Sequence, residues 1–373
     1  MDLKMEIYDS SLELLGILEA YDSLMIEEFA FKAGTFALST AITNENRALL
    51  RVDNIIWFEG DTAGVIEYIN AQAGSDKISI SVKGKLLTGL LDRRILWGTY
   101  HVSGSPVKIM CNMVTDCAIT PSRGTASARK IPRLMVANPK PKDSRSLKKQ
   151  KTGGSLSEFL EEVGRSTSTA FGIAFDPSAL TMKFWTRLCV NRTIHQKKYA
   201  PVFYSTELDD VLASAYELDA SSFKNLAFVT GEGEGTERKT LVVSDKNEPK
   251  GFSRHELFVD ARDLQSNADP EKPLTPEAYM EILHTRGSEK IADAQLVQSF
   301  STTIRTLNPT YVYGVDFFLG DTITIADERL GIVIDAVVEG VERSVSKSGK
   351  EDIVFTFGYG LPTLADRLRK AGV

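Results

Sequence analysis

Residues Lys77-Ile78-Ser79-Ile80-Ser81-Val82-Lys83 alternate polar and apolar side chains with period two. That is the pattern of a half-buried antiparallel strand. Two shorter apolar runs precede it: Ile55-Ile56-Trp57-Phe58, closed by Glu59-Gly60-Asp61, and Ala63-Gly64-Val65-Ile66-Glu67-Tyr68-Ile69, closed by the turn-rich Ala73-Gly74-Ser75-Asp76. Together they predict a small meander. The third run continues into Gly84-Lys85-Leu86-Leu87-Thr88-Gly89-Leu90-Leu91-Asp92-Arg93-Arg94-Ile95. Leu86, Leu87, Leu90 and Leu91 fit one helical face, and Asp92, Arg93 and Arg94 are poised to pair with charges. Leu90, Leu91, Asp92, Arg93 and Arg94 are therefore the candidate assembly interface. A helix packed on its own sheet is the plainer alternative.

The end of the chain echoes this meander. Asp53–Trp57 lines up with Asp321–Ile325, Ala63–Ile69 with Leu330–Ala336, and Lys77–Gly84 with Glu351–Gly358. Both halves share the order short strand, turn, glycine-bearing long strand, polar turn, alternating strand. The sequence predicts that the two segments form equivalent long strands of two barrel-like domains. Two similar domains per chain double the apparent symmetry of any ring the chain builds.

Length and composition bound the rest. At 373 residues, two to four domains are expected. Apolar residues make up 42% and charged residues 25%, so most of the chain has enough apolar surface to fold. The net charge of −6 does not suggest a general nucleic-acid binder. The longest apolar runs, such as Leu12–Leu18, are too short for a membrane span, and the N-terminus does not read as a signal peptide. The three cysteines, Cys111, Cys117 and Cys189, are odd in number and form no CxxC, which argues against a disulfide framework or a zinc ribbon and for a reducing compartment.

Five stretches follow along the chain: 1–122 as a first tube-like β domain, 123–154 as a basic linker or loop, 155–266 as an α+β insert, 267–299 as a linker with helices, and 300–373 as a second tube-like β domain. Between Arg123 and Lys151 lie ten basic residues opposed only by Asp143 and interrupted by Pro132, Pro139 and Pro141. A solvated loop facing outward or into an interface is expected there. Ser155, with Glu158 three residues on, predicts a capping box, and Leu156, Phe159, Leu160 and Val163 share the buried face of the helix it starts. Strands are expected at Ala170–Phe175 and Leu180–Val190. Thr275-Pro276 predicts an N-cap followed by proline at the first helical position, with helices to His284 and over Glu289–Leu296. Strands return from Phe300, with Leu330–Val345 and Asp352–Phe357 the clearest, and Ala365–Ala371 reads as a terminal helix.

No catalytic constellation stands out. His255-Glu256 begins like HExxH but lacks the second histidine. His101, His195 and His284 are scattered. Gly231-Glu232-Gly233-Glu234-Gly235 has no GK[ST], and its carboxylates repel phosphate, so a hairpin tip is the expectation. No GxSxG occurs. Acidic pairs of the kind glycosidases use exist by number alone. Neither cofactor nor metal is predicted, and the aromatics Trp57, Trp97, Trp185, Phe317 and Phe318 read as core.

Four blocks in order resemble the ReqiPepy-type tail proteins of siphoviruses and prophages, a family of baseplate-hub proteins. They are Gly84–Ile95, Ala227-Phe228-Val229-Thr230-Gly231-Glu232-Gly233, Glu256-Leu257-Phe258-Val259-Asp260-Ala261-Arg262, and Tyr313-Gly314-Val315-Asp316-Phe317-Phe318-Leu319-Gly320-Asp321. The resemblance covers nearly the whole chain. It departs at Glu27-Glu28-Phe29-Ala30-Phe31-Lys32, where the family is more basic and aromatic, and in length, since many hubs continue into a spike, fibre or lysin beyond the point where this sequence reaches Val373. It implies a β-rich α+β fold with two tube-like antiparallel barrel domains and α+β inserts. It also implies a non-enzymatic homotrimer at the virion tail tip, joining the sixfold tail tube or distal-tail ring to a threefold central spike or fibre. The tape-measure protein is a further expected partner, and DNA would pass through the lumen without specific binding. A tail-associated peptidoglycan hydrolase and a receptor-binding tail protein are the alternatives.

Overall fold

The computed structural model of the chain describes residues 4–359 except 74–77, 125, 138–141, 209–210, 245–247, 269–272, 295–296 and 305–309. The expected terminal helix at Ala365–Ala371 lies outside the described residues.

The first unit contains β1 (Met5–Tyr8), β2 (Leu14–Leu18), β3 (Ser23–Phe29), β4 (Thr35–Ala41), α1 (Asn44–Leu49), β5 (Ile55–Glu59), β6 (Thr62–Ala73) and β7 (Ile78–Leu86). The predicted meander is β5, β6 and β7, paired antiparallel in sequence order. Its period-two pattern seats Ile80 and Val82 in a core with Ile7, Ile26, Phe36, Ile56, Phe58 and Ile66. Gly84 is forced by packing: a Cβ there would lie 1.8 Å from the Val65 carbonyl oxygen and 2.8 Å from the Phe36 ring.

A 3-10 helix at Leu87–Arg93 leads into β8 (Thr99–Gly104), α2 (Pro106–Val114), β9 (Leu134–Val136), β10 (Leu147–Thr152), α3 (Leu156–Ser166), β11 (Thr169–Asp176) and β12 (Thr181–Leu188). Leu156, Phe159, Leu160 and Val163 are fully buried, as their spacing predicts. The capping box does not form. Ser155 is the N-cap, but its hydroxyl bonds Ser157 rather than a backbone N–H.

The basic stretch behaves differently from its expectation as a solvated loop. Its end is strand β10, paired with β8. Lys149 is buried there between Glu162 (3.0 Å) and Glu289, while Lys151 pairs Glu162 at 2.9 Å and Lys148 pairs Glu281 at 3.3 Å. Arg145 pairs Asp143 at 2.8 Å, and buried Arg129 donates to the carbonyls of Arg123 and Ile95. Glu162 from α3 and Glu281 and Glu289 from the long helix at 276–293 pair the three lysines of β10, and local composition cannot reveal the last two, which lie more than a hundred residues away. Burial disfavours the Lys149 ammonium, but the attraction of Glu289 and Glu162 outweighs it and its pKa is raised.

The chain then forms β13 (Phe203–Ser205), β14 (Val211–Asp219), β15 (Leu226–Thr230), β16 (Thr240–Ser244), β17 (Glu256–Asp260), α4 (Pro276–Asp293), β18 (Val297–Ile304), β19 (Thr322–Asp327), β20 (Ile332–Ser346) and β21 (Glu351–Tyr359). Strands β16, β15 and β17 make a small sheet covered by α4. Gly231–Gly235 lies in the β15–β16 connection, the expected hairpin tip. Thr275 caps α4 as predicted, accepting from Ala278 N–H at 3.3 Å. The two helices expected from Pro276 onward are one. Gly287 continues the helix, because a Cβ there would meet Val229 and Val243 at 2.7 Å and lift α4 off its sheet.

The ends of the chain share one 13-stranded sheet, in the order β14-β18-β21-β20-β3-β4-β7-β6-β5-β1-β2 with β19 and β13 attached through β20. Among the described residues this sheet is open and closes no barrel. Within it one strand order occurs twice: β3-β4-β7-β6-β5-β1 and β14-β18-β21-β20-β19-β13. Both sets also follow the same order along the sequence. They differ at the last strand, since β1 runs antiparallel to β5 and β13 parallel to β19.

Hydrogen bonds fix the residue equivalence. Asp53 N–H donates to Ile66 O and Ile66 N–H to Asn54 O, both at 2.9 Å. In the same way Gly320 N–H donates to Val338 O (2.7 Å) and Val338 N–H to Asp321 O (2.9 Å). Asp53 and Gly320 both have positive φ, 69° and 85°. The residue after Ile66 and the residue after Val338 are both bulges: Glu67 in β6 and Glu339 in β20. The alignment read from the sequence is therefore shifted. Asp321 matches Asn54 rather than Asp53, Val338 rather than Val333 matches Ile66, and Phe357 rather than Gly358 matches Gly84. The stretch from Asp321 to Val338 is five residues longer than the stretch from Asn54 to Ile66, and nothing in the apolar pattern marks where that excess sits.

Candidate functional site

The Leu90–Arg94 segment faces largely into its own chain. Leu87 and Leu91 are fully buried in the core with Met110, Leu156 and Phe159, and Leu90 packs against that cluster. The helix is 3-10 rather than α, so the leucines do not form the expected α-helical stripe. Asp92 accepts from Lys85 Nζ at 2.6 Å, a hydrogen bond that raises the Lys85 pKa. Arg93 pairs Asp53 at 2.8 Å and the bulge residue Glu67 at 3.5 Å. Arg94 Nε donates to the Arg129 carbonyl at 2.6 Å, and burial, with the Arg129 and Arg93 charges, lowers its pKa.

The second bulge is held alike. Glu339 accepts both Arg165 Nη1 contacts, at 2.9 and 3.0 Å. In each repeat a glutamate at the bulge of the long strand takes an arginine from a helical segment, Arg93 of the 3-10 helix after β7 for Glu67 and Arg165 of α3 for Glu339, at the point where pairing with the preceding short strand ends. Sequence reading missed this pair; Glu67 and Glu339 each lie inside an apolar strand, the one local signal available.

The change of partner is the central geometric fact. The first part of β20 pairs with β19, and beyond the bulge Gly340–Ser346 pairs antiparallel with β3, from Gly340↔Phe29 to Ser346↔Ser23. This joint fastens the two repeats together. Arg343 on β20 also pairs Glu59, and Lys347 pairs Asp22 at 3.3 Å. Glu28 sits in the joint opposite Val341. Burial raises its pKa; Arg343 opposes the shift, and Asp61 and Glu59 add to it.

Buried Asp321 anchors the second repeat. Its Oδ1 accepts from Arg187 Nη1 and Val190 N–H, both at 2.8 Å, and its Oδ2 from Arg192 Nε and Phe318 N–H, both at 3.2 Å. The equivalent Asn54 instead donates Nδ2 to the Leu49 carbonyl at 2.7 Å.

The described residues contain no group of three or more His, Cys, Asp or Glu side chains placed to hold a metal ion. His255 immediately precedes strand β17 and packs edge-on against Phe223, so the HE pair is not on a helix. A cleft lined by Glu28, Asp61, Thr88, Trp185 and neighbours encloses about 80 Å³, below the usual range for small-molecule sites. No helix of the described residues is long and apolar enough to cross a membrane.

Solved structures share this fold. The tail protein from Neisseria meningitidis MC58 superposes with a TM-score of 0.57 at 11% identity, covering 98% of this chain and 99% of that one. The 43 kDa tail protein of prophage MuSo2 from Shewanella oneidensis gives 0.58 at 12% identity, over 96% and 99%. The prophage tail protein gp18 from Listeria monocytogenes EGD-e gives 0.54 at 11% identity, over 99% and 98%. No curated protein matches the sequence. Residues 4–359 match the family described as siphovirus ReqiPepy6 Gp37-like protein. With the sequence resemblance and the family match in agreement over nearly the whole chain, the chain belongs to the siphovirus ReqiPepy6 Gp37-like family.

Proposed function

We propose that the protein is a structural hub at the tail tip, joining a sixfold tail tube or distal-tail ring to a threefold spike or fibre as a homotrimer. The observation that carries this reading is the repeated strand order within one chain. Three chains supply six similar sheet units toward a sixfold ring and three copies of everything else toward a threefold partner. The open sheet fits the same picture, since a barrel-like wall is then a property of the ring.

On this reading β13 and β14 belong to the second tube-like unit with β18, β19, β20 and β21, and the small sheet with α4 is an insert between its strands. Leu90–Arg94 serves assembly indirectly: its leucines fix the first unit on α3, and Arg93 holds the Glu67 bulge. Ion pairs of Arg145, Lys148, Lys149 and Lys151 reduce the free positive charge that this stretch could turn on passing DNA. Native mass spectrometry of the purified protein, alone and with the distal-tail protein, tests the proposal. A trimer is expected; a monomer or dimer as the sole species under assembling conditions refutes it. Lysis of peptidoglycan in a zymogram, abolished by one carboxylate substitution, would favour the hydrolase reading instead.

A further inference from the structure

The joint inside the chain supplies a template for a joint between chains. In the second repeat β20 gives its post-bulge edge to β3 of the first. The matching edge of the first repeat is β6 beyond Glu67. There β6 pairs with β7 on one side, while its pairing with β5 ends at Val65. The strand matching β3 in the second repeat is β14, which pairs with β18 and ends the sheet order. Among the described residues, the donor edge of one repeat and the acceptor edge of the other are thus both without a strand partner.

We propose that β14 of one copy adds antiparallel to the post-bulge half of β6 in the next copy, repeating between chains the β3–β20 joint found within the chain. This rests on the hub reading above and specifies its contact. The occupant is a second copy of this chain, because the two open edges are the structural equivalents of two strands that already pair.

The equivalence fixes the register. Gly340, one residue past its bulge, faces Phe29, and Arg343 faces Ile26. Tyr68 is one residue past the Glu67 bulge, and Ala71 is three further on. On β14, the β18 pairing makes Tyr216 the counterpart of Ile26 and Asp219 that of Phe29. Transferred to two copies, Tyr68 faces Asp219, Ala71 faces Tyr216, and Gln72 faces Ala215. Exposure agrees with an unmade joint. Ile26, inside the joint, is 1% exposed, whereas Tyr216 is 37% and Tyr68 52% exposed. Unprotected edges of this kind are ordinarily covered. The contact is heterologous, head to tail, so it closes into a ring or propagates as a filament.

Cysteine cross-linking of the full chain tests the register. The variants Ala71→Cys with Tyr216→Cys, and Gln72→Cys with Ala215→Cys, place thiols directly opposite, where Cβ atoms lie about 5 Å apart. Ala71→Cys with Ala220→Cys is the out-of-register control. All substituted positions are solvent-exposed, so folding should survive, which circular dichroism checks. After oxidation, at least one in-register pair should give linked dimers and trimers on a non-reducing gel, at least tenfold above the control and each single variant. A native trimer without in-register linkage overturns this pairing and leaves the hub reading intact. Linkage with open filaments in place of trimers supports the pairing and refutes the closed hub. A monomer without linkage refutes both.

Discussion

Replacing Asp321 should unfasten the second repeat. The carboxylate is fully buried and accepts four hydrogen bonds, two from guanidinium groups and two from backbone N–H groups. Hydrogen bonds to a charged group contribute about 1.5–3 kcal/mol each. Simple addition overstates the loss, because the Arg187 and Arg192 side chains are 27% and 18% exposed and can turn to water. Arg187 also keeps its bond to the Leu319 carbonyl. The Val190 and Phe318 N–H groups have no such escape. Asp321→Ala should therefore cost about 3–5 kcal/mol, the range for removing one side of a buried ion pair. Asparagine, native at position 54, should not rescue the site. At 54 the amide finds the Leu49 carbonyl; at 321 it would face Arg192 Nε and Phe318 N–H, donor against donor. Asp321→Asn should cost about half as much, roughly 2 kcal/mol. Urea denaturation gives the energies, and hydrogen exchange should place the loss in β19, β20 and residues 187–192. A cost below about 1 kcal/mol for Asp321→Ala refutes the reasoning, since no buried anchor is lost so cheaply.

Lys149→Met leaves Glu289 buried without its cation and should destabilise by about 3–5 kcal/mol in urea, with Glu289→Gln added to the same chain recovering more than half. Gly84→Ala drives a methyl into the Val65 carbonyl and should cost about 3 kcal/mol or more, seen as a collapse of soluble yield or a large drop in Tm; a normal Tm would contradict the packing account. Glu28 has a folded pKa above the ordinary 4.5, so its proton stabilises the fold at low pH and that contribution is lost as pH rises through the folded value. Glu28→Gln should remove this slope: relative to wild type it gains stability as pH rises from about 4.5 through the folded value and levels off above it, and a difference that is flat throughout or falls with pH refutes the burial argument.

Much was legible in the sequence because it was local. The period-two run Ile78–Val82, the buried face of Leu156, Phe159, Leu160 and Val163, and the Thr275-Pro276 start each depend on neighbours within a few residues. The family was legible because its blocks are contiguous stretches in order. The repeat was visible as an order of strands. Its true register was not, because a bulge and a five-residue excess leave the apolar pattern readable in more than one alignment. Only tertiary structure decided which cations of the basic stretch are buried, since Glu162, Glu281 and Glu289 arrive from other elements. It likewise decided that α4 runs through Gly287, where close approach to Val229 and Val243 outweighs poor helix propensity. It decided above all that the two ends of the chain form one sheet through β3 and β20. Strand pairing is a hydrogen-bond match between backbones, the backbone is the same at every residue, and so the partner is chosen by three-dimensional register rather than by any local word in the sequence.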